Sequence, residues 1–239
     1  MKKLIITLIL LLPNIVFAAG GGFALQHADN DLTDNESLKA GAQLFVDYCM
    51  GCHSADYMRY QRMGQDIGIS DEELMKDFMF GADKVGETMG IAMDKKDSEK
   101  WFGVIPPDLS VIARARGTDW LYTYLMTFYL DPSRPFGVNN LVFPDVGMPH
   151  VMWDRQGWQE AVYEEKDGHK VITSLKLIGP KDKAEQYKKD VTDLVNFLEY
   201  IGEPAKLQRL ALGWKVIAFL FIFLIFAILL KKEYWKDIH

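Results

Sequence analysis

Cys49, Met50, Gly51, Cys52 and His53 bring two thiols and an imidazole into five consecutive residues, and these are the chain's only cysteines. A Cys-x-x-Cys pair alone fits a redox dithiol, half of a zinc site, or covalent attachment of haem. A zinc site needs further cysteine or histidine ligands at matching spacing, and no third cysteine exists. A thioredoxin-like dithiol needs a strand before the pair and a helix after it, and the surrounding pattern offers neither. His53 decides among the three. Two thioethers to the vinyl groups would fix one haem c while the adjacent imidazole turns onto its iron.

The second axial position separates a carrier from a catalyst, because an open iron binds oxygen or peroxide whereas two protein ligands close it. Met148, in Phe143-Pro144-Asp145-Val146-Gly147-Met148-Pro149-His150, is the first choice. Gly and Pro there let the backbone approach the haem face, and a thioether raises the reduction potential. His150 and Met152 are local rivals. Chemistry alone does not exclude His150, whose alternative reading is a polar residue at the rim of the site. Most of the eleven methionines read as core filler.

Helical elements must position these groups. Thr33 with Glu36 forms a capping-box pattern, and Leu38, Ala42, Phe45 and Cys49 then recur at helical spacing, which predicts a helix delivering Cys49 to the core. Ser70 with Glu73 predicts a second helix that stops near Gly81. The polar stretch 83–100 reads as loop, and Ile105-Pro106-Pro107-Asp108-Leu109 as a rigid extended segment. A third helix is expected from Thr118 or Asp119 through Phe128, ending before Pro132, with apolar residues on most faces and a central place. Residues 133–152 read as a long ordered loop. Asp167-Gly168 between apolar runs predicts a small peripheral β-hairpin. Tyr187, Val191, Leu194, Val195, Leu198 and Ile201 mark the last soluble helix, closed by Gly202 and Pro204.

The two ends of the chain define a compartment. Met1-Lys2-Lys3, an apolar run and small residues at Ala18 and Ala19 read as a signal peptide over 1–18, cleaved after Ala18 with Ala19 as runner-up; an uncleaved anchor is the rival. A second apolar segment runs from about Leu210 to Leu230, holds the uninterrupted run 216–230 and, as a helix of roughly 20 residues, is just long enough to cross a hydrocarbon layer of about 30 Å; it reads as a membrane helix over 206–231. Lys231, Lys232 and Lys236 follow it, so the positive-inside rule puts the tail 232–239 in the cytoplasm and residues 19–205 outside. The formal net charge of -6 argues against nucleic acid. Acidic runs such as Asp71-Glu72-Glu73 and Glu164-Glu165 suit a basic protein partner and read equally well as solvated faces.

Together Cys49-Met50-Gly51-Cys52-His53, Pro106-Pro107-Asp108-Leu109-Ser110, Arg114-Ala115-Arg116, Phe143-Pro144, Gly147-Met148-Pro149 and the C-terminal anchor occur in an order that resembles the cytochrome c1 family. Its members are the haem subunits of ubiquinol–cytochrome c reductase (bc1) complexes, and the chain is similar to bacterial members over nearly its whole mature length. The resemblance implies haem attachment at Cys49 and Cys52, axial ligation by His53 and Met148, and Arg116 on a haem propionate, with Arg114 at the surface. It also implies that Pro107 packs on the haem and that the Pro106-Pro107 loop offers a backbone carbonyl to the other nitrogen of His53. Many relatives carry a further disulfide, for which this chain has no cysteines to spare.

The expected architecture is therefore mainly α: a cytochrome c-like haem domain on the periplasmic face of the inner membrane, with a small β-hairpin and one C-terminal transmembrane helix. The expected activity is electron carriage, with no substrate chemistry of its own, inside a quinol-oxidising complex. Its expected partners are the Rieske iron–sulfur protein, a soluble cytochrome c and cytochrome b, in a dimeric complex. The rivals are a haem enzyme such as a peroxidase, with an open iron, and an anchored cytochrome serving a terminal oxidase.

Overall fold

The computed structural model describes residues 23–166, 168–178 and 183–237. The expected signal peptide and its cleavage site, and Asp167 of the hairpin turn, lie outside them. Two crossing helices form the frame. The first, α1 (Asn35–Leu44), runs on through a widened π-type turn, Phe45–Cys49, in which the Met50 amide donates to the Phe45 carbonyl at 2.8 Å. Such turns concentrate at functional sites, and this one delivers Cys49. The N-cap is Asp34 rather than Thr33: its carboxylate accepts from the amides of Glu36 and Ser37 at 3.0 and 3.1 Å, while Thr33 is held by Asp31.

Strand β1 (Ala55–Arg59) follows, then α2 (Tyr60–Ile67) and α3 (Asp71–Glu73), which continues as a π-type turn to Phe78. Ser70 caps α3 as expected, accepting from the Glu73 amide at 3.2 Å. The stretch expected to be loop between 83 and 100 contains strand β2 (Thr88–Met89), paired antiparallel with β1, and the start of helix α4 (Lys95–Phe102). Asp94 caps α4, and Ser98 alone on it is buried, so the helix carries no apolar stripe for periodicity to find.

Helices α5 (Ile112–Arg116) and α6 (Thr118–Met126) lead into the region where sequence and structure differ most. The third expected helix stops at Met126, and Phe128 belongs to strand β3 (Phe128–Leu130), which pairs with β4 (Val138–Asn140). The long loop therefore contains a strand. Short α7 (Trp153–Gln156) precedes the expected hairpin, β5 (Trp158–Lys166) with β6 (His169–Ile178), whose register shifts between Val162 and Tyr163. The hairpin is exposed along most of its length, in keeping with a peripheral place.

Helix α8 (Ala184–Gly202) is the spine of the core: Val191, Val195 and Phe197 are fully buried, and α1, α5, α6 and α7 all pack on it. Gly41 makes the crossing with α1 close, since a Cβ there would sit 2.0 Å from the Asp193 carbonyl oxygen. Beside it Ser37 donates to Asp193 at 2.7 Å, and Asn196 donates to Ser37 at 3.1 Å. The last helix, α9 (Lys206–Tyr234), extends past the expected boundary at 231 and has no buried residue. Its 29 residues span about 43 Å at 1.5 Å per residue, long and apolar enough to cross a membrane. Among the described residues the architecture is thus mainly helical, with three two-stranded pairs and one apolar C-terminal helix.

Candidate haem-binding site

A cavity of about 720 Å³ opens where α1, α5, α6 and α8 meet the loops 102–109 and 134–148. Cys49, His53, Pro107, Arg116 and Met148 all line it, within walls that include Leu109, Trp120, Phe143 and Leu198. A smaller cavity of about 80 Å³ adjoins it, bordered by Cys52 and again by His53, Pro107 and Met148. His53 and Met148 therefore border both spaces, and one thiol faces each.

The turn after α1 sets the first candidate ligand. The amides of Cys52 and His53 both donate to the Cys49 carbonyl, at 3.0 and 2.8 Å. His53 Nδ1 donates to the Pro107 carbonyl at 2.7 Å. A carbonyl oxygen can only accept, so Nδ1 carries the proton and Nε2 keeps its lone pair. Burial pushes the His53 pKa down, against opposing pulls from that carbonyl and the Asp108 carboxylate, which favours the neutral, ligating imidazole.

Asp108 fastens the Pro106-Pro107 loop to the same segment. Its carboxylate accepts from the Ser54 hydroxyl at 2.7 Å and from the amides of Asp56 and Ser110, both at 2.8 Å. The Leu109 amide adds a bond to the Ser54 carbonyl at 2.8 Å. Burial works to raise the Asp108 pKa, but these donors outweigh it and hold the carboxyl below its ordinary range.

On the opposite wall, the Tyr124 hydroxyl donates to Met148 Sδ at 3.3 Å. Asp145, just before the Gly147-Met148 step, takes a left-handed φ of 63°. It is held by Arg134, whose guanidinium pairs with its carboxylate at 2.8 Å and donates to its carbonyl at 2.8 Å. Arg116 lays its guanidinium over Trp120 and Phe143, 5.0 and 5.9 Å from the ring centroids. Arg114 lies away from the cavity against Gly202. The rivals for the sixth ligand border neither space: Met152 is 1% exposed in the core, and His150, expected at a polar rim, is 6% exposed. His150 is buried because it stacks flat on Phe128, and that burial pushes its pKa down to about 4.

Arg155 ties α7 to the turn that bears Cys49 and to α8. It donates to the Tyr48 hydroxyl at 2.9 Å, next to Cys49, and pairs at 2.7 Å with the buried Asp190 of α8.

The donor set fits a c-type haem. An apolar cavity holds an imidazole with a free Nε2, a thioether and a thiol on its lining. Two arginines face it, and Arg134 Nε is buried without a hydrogen-bond partner. A dithiol redox centre fits poorly. Burial, with Cys52 beside it, pushes the Cys49 pKa up to about 12, which removes the thiolate such chemistry needs. Among the described residues no cluster of three or more His, Cys, Asp or Glu side chains could hold a metal ion.

Comparison with known proteins settles the lineage, because residues 28–238 match the profile described as the Cytochrome C1 family. The chain belongs to the cytochrome c1 family. It is 50% identical to the cytochrome c1 of Allochromatium vinosum, over 100% of both chains. It is also 49% identical to a Nitrosomonas europaea protein named ammonia monooxygenase gamma subunit, over 100% of this chain and 99% of that one. A solved chain titled "Hyperthermophilic respiratory Complex III" superposes with a TM-score of 0.42 at 16% identity, covering 100% of this chain and 95% of that one.

For a cytochrome c1 family member, sequence reading passes over four residues that the cavity brings into play: Asp108, Tyr124, Arg134 and Arg155. Asp108 enters the sequence analysis only as part of a motif, and Tyr124 falls inside the third expected helix. Arg134 did carry a signal, as a cation between Pro132 and Pro135 in a loop. Arg155 carried none, since its partners lie 35 and 107 residues away.

Proposed function

We propose that this chain is the haem c subunit of a ubiquinol–cytochrome c reductase (bc1) complex. In that role it takes electrons one at a time from the Rieske iron–sulfur protein and passes them to a soluble cytochrome c. The observation that carries this reading is one apolar cavity lined by Cys49, His53 and Met148, with the His53 ring already oriented by the Pro107 carbonyl. Bound there, haem c would supply a one-electron iron couple.

The chain's own residues do the rest. Cys49 and Cys52 would form the thioethers, and His53 Nε2 and Met148 Sδ would ligate the iron. Arg116 would meet one propionate and Arg134 would offer a second cation, a guanidinium being the natural partner of a carboxylate. The apolar walls keep water from the centre, which with the thioether favours a high potential. Residues 1–18 serve as the export signal and 19–205 as the periplasmic domain. Residues 206–231 cross the inner membrane against cytochrome b, and 232–239 lie in the cytoplasm. The family assignment and the exposed apolar helix α9 support the membrane placement, and the complex is read as dimeric.

Carrier and haem enzyme part on the sixth ligand. In optical and redox titrations of the haem-loaded full chain, the reduced native protein should not bind carbon monoxide at neutral pH. Met148→Leu should lower the potential and open the iron to carbon monoxide. Rapid binding by the native protein would overturn the carrier reading and turn attention to the oxygen chemistry implied by the name of the Nitrosomonas relative. An unchanged spectrum and potential in Met148→Leu would remove Met148 as the ligand. Purification without cytochrome b and the Rieske protein would favour a terminal-oxidase cytochrome.

A further inference from the structure

His150 lies two residues from Met148, is buried, and borders neither cavity, so its burial serves something other than ligation. Its ring sits 5.0 Å from Phe128 at an interplanar angle of 4°, and 6.0 Å from Trp158 at 78°. Phe128 in turn meets Tyr124 edge-on at 5.1 Å and 72°, and the Tyr124 hydroxyl donates to Met148 Sδ at 3.3 Å. The contacts therefore close a ring that runs from Met148 through Pro149 and His150 to Phe128, Tyr124 and back to the sulfur.

The backbone link in that ring is stiff, because a proline fixes its own φ and restricts the residue before it, here Met148. The remaining links are the His150–Phe128 stack, the Phe128–Tyr124 edge contact and the hydroxyl bond to sulfur, which fix position by shape. The polar edge of His150 has Gln156 as its neighbour, although His150 Nε2 and Gln156 Oε1 form no well-made hydrogen bond. Gln156 is itself anchored, donating to the Met126 carbonyl at 2.9 Å. Sliding the Met148 loop would pull His150 out of its slot between Phe128 and Trp158.

We propose that His150 is a positioning residue for the Met148 thioether, its ring acting as the wedge that holds the Gly147-Met148-Pro149 turn at the cavity wall. The proposal rests on Met148 being the sixth ligand.

The test uses the haem-loaded full chain and compares His150→Ala, His150→Phe and Met148→Leu by the thioether-to-iron charge-transfer absorption, midpoint potential and carbon monoxide binding. His150→Ala should lose most of the absorption, shift the potential downward and bind carbon monoxide at least tenfold faster than native. His150→Phe keeps the stack and should restore the absorption. A native absorption and potential in His150→Ala, with both lost in Met148→Leu, would sink the positioning role and leave Met148 standing. Signals unchanged in Met148→Leu would remove the ligand reading and this proposal with it. Should His150→Ala fail to fold, Trp158→Leu removes the other side of the slot. It should shift absorption and potential in the same direction, and a native signal there overturns the proposal.

Discussion

The two walls of the cavity are held by different kinds of force. On the His53 wall the fixing contacts are directional and polar: the Cys49 carbonyl, the Pro107 carbonyl and the three donors on Asp108. On the Met148 wall the polar contacts fasten the loop upstream, where Arg134 holds Asp145, while the segment at Met148 itself is held by the Phe128, His150 and Trp158 rings and one weak bond to sulfur. Hydrogen bonds fix the orientation of a ring, which an imidazole ligand needs. Stacked rings fix the position of a segment and leave it freer to turn, which a flexible thioether tolerates. The side chain that must point in one direction has a polar latch on its own ring.

The backbone shows the same contrast at two glycines, and the largest expected effect lies there. A Cβ on Gly41 would meet backbone, with Asp193 O at 2.0 Å, whereas one on Gly147 would meet the Val104 side chain at 3.2 Å. Backbone in a helix crossing cannot yield as a valine methyl can. Gly41→Ala should therefore destabilise by about 3 kcal/mol or more, and Gly147→Ala by about 1 kcal/mol. Denaturant unfolding of both variants checks this. Equal costs would mean that α1 and α8 adjust as readily as the Met148 loop.

This asymmetry also explains what could be read in advance. Cys49, His53 and Met148 are legible as types at spacings, Arg116 and Pro107 only through the family resemblance, and all five line one cavity. Helix α8 was legible because its buried face repeats at helical spacing. Helix α4 was not, since it buries only Ser98, and a capping Asp94 alone is a weak signal. Phe128 was assigned to a helix because apolar residues surround that helix on most sides, so periodicity could not detect the switch. What makes it a strand is pairing with Asn140, a contact outside any local window. His150 was placed at a rim for the same reason: its burial comes from Phe128 and Trp158, neither of them its neighbour in sequence.

Next in size is the latch. Asp108→Ala removes three accepted bonds from a partly exposed carboxylate and should cost about 2 kcal/mol at neutral pH. The pH dependence has a definite sign. The folded Asp108 pKa lies below its unfolded value of about 3.9, so its contribution is fully present above that value and is lost as pH falls through the folded pKa. The gap in stability between native and variant should stay level from neutral pH down to about pH 4 and close below it. Unfolding curves across that range would show it. A gap that widens in acid would mean that the carboxylate is not the group fastening the Pro106-Pro107 loop.

The smallest effect, and the one that isolates the Met148 wall most cleanly, is Tyr124→Phe. The ring keeps its contacts with Phe128 and Trp120, and only the hydroxyl on Met148 Sδ is lost. Burial holds the Tyr124 pKa well above its ordinary value, so the hydroxyl is a donor throughout the working range. Stability should change by less than about 1 kcal/mol, because the lost bond to sulfur is weak. The thioether, no longer sharing a lone pair with that hydroxyl, becomes the stronger electron donor and favours the oxidised iron. The potential should then fall by tens of millivolts, on the scale of about 59 mV per tenfold change for a one-electron couple. A redox titration of Tyr124→Phe beside native measures the shift directly. A potential that stays put while stability drops would make Tyr124 a packing residue and leave the sulfur held by the loop alone.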